Sequence, residues 1–415
     1  MLRTLQKKGA GMRSITWLNV AWSARNSLEQ AVREAVQTAM RDSENPVLAL
    51  IFSAGDWDRE ALAQTLTAEL GSLPWCGCTA TAVFANRKVL TSGLALGVLN
   101  APDMSVGIGL AGTAGASPLA VGGAAVARAI DHLPPLSHPN ATGVTSNRAI
   151  ILFADTFNGS GTDTVRGAVR EGGTSVCWAG GGVGGLGRAS GRMALLANGR
   201  AFLDRAIALA IDLPAPIGSG MAHGFTPQGP ALTVTSARDK IVHQLEYRPA
   251  IDLYEQIAHG RSASLDGDRL AVHRIEHTFG IPQADGEYVL REPVHAREDG
   301  ALEFVSSIPE GAIVRLMRST PDSLIEGARH AARAARARLK ASPGGALVFD
   351  CDARFLSLGD DFSKELDAIA EVLGEDVPIL GCTSYGEIGA LGCGFPQFHN
   401  KTVHVMALPG EESLS

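Results

Sequence analysis

The sequence predicts an α/β protein of two domains with mixed sheets, built from repeated strand-helix-strand-strand units. Three observations carry that expectation. "PWCGCTAT" from Pro74 and "PILGCTSYGEIG" from Pro378 share Pro-x-x-Gly-Cys-Thr with unchanged spacing. Around each copy the texture repeats: an apolar strand candidate ("VLALIF", Val47 to Phe52; "GALVFD", Gly345 to Asp350), a helical stretch, the motif, and another apolar run (Gly93 to Leu99; Lys401 to Leu408). A third, weaker copy fills the middle, as Ala149 to Phe153, Val176 to Gly182 and Arg192 to Gly199. Duplicated units of this size commonly hold a ligand where they meet. At 415 residues the chain exceeds one ordinary core, which favours two domains.

The elements follow in order. Ile15 to Trp22 reads as a first strand. A helix follows from Ser27, where Ser27 and Gln30 form a capping pattern and Leu28, Ala31, Ala35 and Ala39 recur at helical spacing. Glu44-Asn45-Pro46 stops it. The strand Val47 to Phe52 leads into an amphipathic helix over Asp58 to Leu70, and such alternation is the signature of α/β architecture. The glycine-rich run Gly107 to Pro118 is a loop or irregular strand before an alanine-rich helix reaching Asp131. His132 to Asn147 reads as a flexible connector. The third copy ends in a predicted helix near Phe202 to Ile211. From Pro214 the texture changes to a hairpin turning at Ala237-Arg238-Asp239, a helix from Pro249 burying Ile251, Tyr254 and Ile257, and several alternating strands. Thr320-Pro321 opens a long helix to Leu339, with proline in the favoured first turn. The boundary between domains is set near 246, giving 15–245 and 246–410.

Composition excludes several function classes. With 45% hydrophobic and 19% charged residues the chain is globular. A formal net charge of −7 gives no reason to expect nucleic acid as a partner. Arg329, Arg333 and Arg336 share one helical face, a solvated surface or a docking site for an acidic partner. Six cysteines without framework spacing fit reduced thiols of a cytoplasmic protein, and no Cys-x-x-Cys pair supports zinc or covalent haem. No apolar run approaches the roughly 18 residues of a membrane span. The N-terminal segment lacks the apolar core of a secretory signal, and either Met1 or Met12 serves as the start.

Three C-terminal motifs carry a family resemblance: "GALVFDCDAR" (Gly345 to Arg354), "VPILGCTSYGEIG" (Val377 to Gly389) and "FHNKTVHVMAL" (Phe398 to Leu408), in that order. Together they resemble the C-terminal half of the FIST family, a two-domain intracellular signal-transduction module, and with no recognisable F-box the chain fits a bacterial version of it. "HGFTPQGPALTVTSARDKIVHQLEYRPAIDLYEQI" (His223 to Ile257) resembles the family's junction, and "VLALIFSA" with "WCGCTAT" its N-terminal half. The resemblance implies a sensor of a small, amino-acid-like ligand that acts through a partner. It also implies an alternative, a haem-bound nitric oxide sensor regulating a histidine kinase or a cyclic-dinucleotide enzyme such as a diguanylate cyclase. Only the second motif copy continues into Gly-Glu-Ile-Gly, so the two sides of a shared site would be related in backbone and unequal in chemistry.

Candidate ligand contacts are Cys78, Thr79, Gly182, Gly184, Arg354, Cys382, Thr383, Ser384, Tyr385 and Glu387, since a carboxylate among hydroxyls in a tight turn suits an ammonium group. The glycines from Gly182 to Gly187 spell a dinucleotide fingerprint but precede a turn and strand instead of a helix, which leaves a backbone nest as their ligand role. Of the histidines, His223 at the domain junction and His399 are the candidate haem ligands, with His243, His273, His277 and His404 less suited. Asp350 and Asp352 would share one side of an extended strand end, either as an acid/base pair or ion-paired with Arg354. With no Ser-His-Asp grouping, Walker loop or His-Glu-x-x-His, a non-catalytic binder is expected.

Overall fold

A computed structural model describes residues 17–41, 43–101, 103–112, 115–134, 147–156, 160–184, 193–213, 215–259 and 276–410. Gly185, Gly187, His273 and most of the connector after His132 lie outside them. The protein is mixed α/β, and its repeat is threefold. Unit one runs β1 (Trp17–Ser23), α1 (Leu28–Met40), β2 (Pro46–Ala54), α2 (Arg59–Leu70), β3 (Trp75–Thr79), a hairpin β4 (Val83–Ala85) and β5 (Lys88–Leu90), and β6 (Gly93–Asn100). Unit two repeats the order as β7 (Ser105–Ala111), α3 (Pro118–Ile130), β8 (Arg148–Asp155), α4 (Gly161–Gly172), β9 (Cys177–Val183), the hairpin β10 (Leu195–Ala197) and β11 (Arg200–Phe202), and β12 (Ala206–Asp212).

Unit three opens with β13 (Gly218–Ala222) and is then interrupted by an inserted sheet. The insert holds β14 (Thr226–Arg238), β15 (Ile241–Leu245), β16 (Arg248–Pro249), α5 (Ala250–His259), β17 (His277–Pro282), β18 (Tyr288–Arg291), β19 (Pro293–Ala296), β20 (Leu302–Phe304) and β21 (Ile313–Arg318). The unit resumes with α6 (Pro321–Arg338), β22 (Pro343–Cys351), α7 (Asp352–Leu358), α8 (Ser363–Leu373), β23 (Ile379–Ser384), the hairpin β24 (Glu387–Gly389) and β25 (Gln397–His399), and β26 (Val403–Pro409).

Each unit forms four strands of a six-stranded sheet and borrows the last two. The sheets run β1-β6-β2-β3-β10-β11, β7-β12-β8-β9-β24-β25 and β13-β26-β22-β23-β4-β5. Unit two therefore lends its hairpin to sheet one, unit three to sheet two, and unit one to sheet three. Within each sheet the central pair is parallel: β2 with β3, β8 with β9, β22 with β23. The registers align Phe52, Phe153 and Phe349, opposite Cys78, Gly181 and Cys382. These phenylalanines meet on the pseudo-threefold axis, with ring centroids 5.9, 6.1 and 5.9 Å apart in edge contacts, the arrangement favoured by the ring quadrupoles.

The inner faces of the three sheets share one core around those rings. Helices cover the outer faces, α1 and α2 over sheet one, α3 and α4 over sheet two, α6 and α8 over sheet three. The strand β12 shows how the sequence serves both faces. Its Ala206, Ala208 and Ala210 admit the helices, while Ile207, Leu209 and Ile211 reach the axis. That period-two pattern makes it a strand, correcting the helix expected at Phe202 to Ile211. Likewise the run from Gly107 is a regular strand. A Cβ at Gly107 or Gly109 would strike the carbonyls of Ala129 or Ala125 in α3, so glycine lets the helix lie close. Ser27 and Thr320 cap α1 and α6 as expected, Thr320 with Ser323 in a reciprocal box. The helix α5 buries Ala250, Leu253 and Tyr254, with Ile251 and Ile257 at its margin. Position 246 falls in the tight turn between β15 and β16, inside the inserted sheet.

Candidate functional site

The doubled motif is the joint where the sheets exchange hairpins. Gly77, Gly180 and Gly381 occupy equivalent positions on β3, β9 and β23, and a Cβ at each would overlap the carbonyl oxygen of Ile51, Leu152 or Val348 on the neighbouring strand. The threonine two residues later latches the incoming chain. Thr79 N–H donates to Ala194 O at 2.9 Å and its Oγ1 accepts from Ala194 N at 2.8 Å. Thr383 does the same with Ala82, at 2.9 and 3.0 Å. Gly182 is the third equivalent and exchanges backbone bonds with Gly386 and Tyr385, at 2.7 and 2.9 Å. Gly184 lies against the Tyr385 ring. Cys78 and Cys382 sit side by side in the axial core, where burial raises the Cys382 thiol well above its ordinary range. Thr79 and Thr383 are therefore engaged by the joint and both cysteines by the core, while Gly185 to Gly187 of the expected nest lie outside the described residues.

Glu387 is equally committed. It is fully buried and accepts from Ser384 Oγ (2.8 Å), Thr402 N (3.0 Å) and Thr402 Oγ1 (2.8 Å). Burial pushes its carboxyl up to about 8, with the Thr402 and Ser384 hydrogen bonds pulling the other way. Arg354 is fully buried too. Its guanidinium donates to Asp350 Oδ1 (3.0 Å), to Glu365, and to the carbonyls of His223 (2.6 Å) and Leu324 (2.9 Å). The chain turns into α7 at Asp352, so Asp350 and Asp352 do not share one side, and only Asp350 pairs with Arg354.

Asp352 instead faces a small recess of about 10 Å3 at the C-terminal end of β22, lined by Glu292, Val305, Cys351, Asp352, Ala353, Tyr385, Gly386 and Asn400. Strand ends of this kind are where α/β sheets place ligands. Asp352 is 1% exposed, and neither carboxylate oxygen has a hydrogen-bond partner. The nearby Thr383 hydroxyl is engaged by Ala82, and the Thr81 hydroxyl makes no ordinary hydrogen bond. Asn400 Oδ1 is buried and unpartnered as well. Glu292 is ion-paired with Lys401 across 3.4 Å. Burial raises the Asp352 carboxyl to about 6, with the Thr383 and Thr81 hydroxyls moderating the shift and Glu292 and Asp350 adding to it. Two of the acceptors on its wall, the Asp352 carboxylate and Asn400 Oδ1, thus make no hydrogen bond, a costly arrangement for buried groups.

Of the candidate ligand contacts only Tyr385 lines this recess, together with Asp352 from the expected acidic pair. Thr383, Gly182 and Gly184 hold its wall from behind, and Glu387 and Arg354 anchor its surroundings. Asp352 was legible as an acidic strand end, whereas Glu292 and Asn400 carry no motif and reach the site only through topology. His223 Nδ1 accepts from Phe225 N at 2.9 Å, which puts the proton on Nε2, and His399 Nε2 meets Gly389 O at 3.2 Å. Burial lowers these imidazoles to about 4 and about 3. Neither lines any of the four recesses at Asp56, Asp155, Cys177 and Asp352. On α6, Arg329 pairs with Glu326 and Glu371, Arg333 with Glu326, and Arg336 with the Ala341 carbonyl, so the arginine row is answered within the chain.

Residues 47–248 match the FIST N domain and residues 250–390 the FIST C domain. Uncharacterized proteins of Mycobacterium bovis and Mycobacterium tuberculosis are each 26% identical over 177 residues, 41% of this chain and 45% of theirs. The chain thus spans less than half the length of these relatives. Two cyanuric acid hydrolase structures, one from A. caulinodans, align over 95% and 96% of this chain and 99% and 100% of theirs, at 11% and 10% identity with TM-scores of 0.35 and 0.36.

Proposed function

Because the chain belongs to the FIST family, whose domains are sensory signal-transduction modules, we propose that it is a non-catalytic sensor of a small, amino-acid-like ligand whose ammonium group enters the recess at Asp352. One observation carries the reading: a buried recess whose unpartnered atoms are all acceptors, two on Asp352 and one on Asn400. A primary ammonium supplies three N–H donors and the charge that Asp352 lacks opposite it. At about 10 Å3 the recess has room for about one water-sized group, which suits a bare ammonium whose ligand stays outside it and not a bulky group. Among the described residues no cluster of three His, Cys, Asp or Glu side chains has metal-holding geometry, which favours ammonium over a divalent ion. Output passes to a partner protein, with a histidine kinase or diguanylate cyclase the class to test first.

Calorimetric titration with methylammonium and tetramethylammonium tests the site, since the second cation has no N–H to donate. Methylammonium should bind and tetramethylammonium should not, and equal affinities would sink the reading. Product formation during prolonged incubation with amino acids would overturn its non-catalytic part.

A further inference from the structure

A larger recess, of about 360 Å3, opens at the start of β9, at the other end of that strand from its joint with β24. Its volume lies within the roughly 300–1,000 Å3 of ordinary ligand pockets. Three parts of the chain build it: the turn and strand start from Thr174 to Trp178 in unit two, Ile217 and Ser219 of β13 with Arg338 at the end of α6, and the connection between β24 and β25, residues 390–396. That connection is pinned, since Cys393 N donates to Asp285 Oδ2 at 3.0 Å and Gly394 N to Leu391 O at 2.9 Å. Among the described residues on the lining, Arg338 alone carries a charge. Its guanidinium donates to the carbonyls of Ser219 and, at 3.5 Å, Gly392, and pairs with no carboxylate among the described residues. The neighbouring Arg336 answers its own helix end through the Ala341 carbonyl, whereas Arg338 reaches off the helix and keeps more N–H donors than two carbonyls use. Burial holds the Cys177 thiol up at about 11, so it adds no anion at neutral pH. His404 Nδ1 donates to Ile388 O at 3.0 Å, which leaves Nε2 to accept the Ser219 hydroxyl at 2.8 Å and turns that proton inward. Thr174 and Ser175 are exposed, and their hydroxyls bond to no described residue. The remaining wall is apolar, with Ile217, Pro396 and Trp178, whose indole N–H is already given to Gly173 O at 2.8 Å.

We infer that the recess at Cys177 binds a small carboxylic acid with an apolar body, its carboxylate held by Arg338 with the Thr174 and Ser175 hydroxyls and its body against Trp178 and Ile217. A guanidinium fork matches a carboxylate in geometry as well as charge. Phosphate or sulfate would bring more oxygens than the lining has donors and set some of them against the apolar wall, which is costly. The site is separate from the one at Asp352 and does not rest on it. Tyr385 and Gly386 at the base of the hairpin line that recess, and residues 390–396 at its far end line this one.

Calorimetric titration of the full chain with benzoate, benzamide and inorganic phosphate tests this. Benzoate should bind, and benzamide, which keeps the ring and loses the charge, should bind at least about tenfold more weakly. Absence of benzoate binding, or equal affinity for benzamide, overturns the inference. Phosphate binding as tightly as benzoate overturns the choice of a carboxylate. Arg338→Gln should weaken benzoate by at least about tenfold. Because Arg338 also holds Ser219 and Gly392, Thr174→Val gives an independent check: its side chain is exposed, so benzoate should weaken while Tm stays unchanged. Benzoate affinity unaltered in both variants overturns the site. Hydrogen exchange with benzoate bound should slow in peptides covering 174–180 and 388–396, and slowing confined to other peptides overturns the placement. Asp352→Asn should leave benzoate affinity unchanged, and a loss there overturns the separation of the two sites.

Discussion

Replacing Asp352 by asparagine separates a ligand-binding carboxylate from a structural one, because the two assign opposite signs to the change in stability. Asn fills the same space without the charge. The native carboxyl sits at about 6 against an ordinary 3.8, so holding it ionised costs the folded protein about 3 kcal/mol at pH 8. The sign follows from linkage. A raised carboxyl favours the fold fully below pH 3.8, and that advantage is lost as pH rises through about 6. Asp352→Asn should therefore be neutral near pH 4 and stabilising by up to about 3 kcal/mol at pH 8. At about 2.1 cal/mol/K per residue, that is a rise in Tm of roughly 3 °C if the chain unfolds in one step. The same variant should bind methylammonium roughly 10- to 150-fold more weakly, the range set by about 1.5–3 kcal/mol for a hydrogen bond to a charged group. Differential scanning calorimetry at pH 4, 6 and 8 and titration at pH 8 are the assays. A lower Tm at pH 8 together with affinity within twofold of the native protein would refute the reasoning.

Three further outcomes are expected. Glu387→Gln can keep Thr402 with its oxygen and give its amide to Ser384, so it should flatten the loss of stability that the native carboxyl imposes as pH rises from about 4.5 through about 8. Tm values at pH 5 and pH 9 check this, and an unchanged slope excludes Glu387 as its source. Arg354→Leu leaves Asp350 and Glu365 buried without their counter-ion and should cost about 3–5 kcal/mol, read as lost soluble yield or a fall in the urea midpoint. Phe153→Ala removes one ring of the axial triangle and should cost about 3–5 kcal/mol by urea unfolding. A cost below 1 kcal/mol would mean that the axis is not closely packed.

Much of the fold was readable because its signals are local. The capped helices and the alternating small and large residues of the strands sit within single elements, and the Gly-Cys-Thr spacing repeats because two joints need the same close approach and the same hydroxyl. The third joint keeps only the glycine, since Gly182 bonds through its backbone alone, and the pattern fades there. The recess at Asp352 was not legible as one site, for a geometric reason. Two residues along a helix turn about 200°, so Asp352 and Arg354, adjacent in the sequence, face opposite sides, whereas Asp350 and Arg354 at i and i+4 meet. Glu387 read as a ligand contact because the three hydrogen bonds it accepts come from Ser384 close by and from Thr402 just before β26, and sequence distance hides the second. Glu292 and Asn400 have no local signature, since only the insert's docking brings them together.

The exchanged hairpins bear on how this chain can be made and cut. Sheet one lacks its outer strands until residues 195–202 exist, sheet two until residues 387–399, and sheet three has its hairpin ready some three hundred residues before the strand that receives it. During synthesis β3 and then β9 must wait as open edges, the form of backbone most prone to pairing with another chain. Severing the chain near residue 249, where one family domain gives way to the next, would strip β9 of its partner and leave β4 and β5 with nothing to join. The three sheets are links of a closed ring, and the protein should be obtained whole or as aggregate, not as halves.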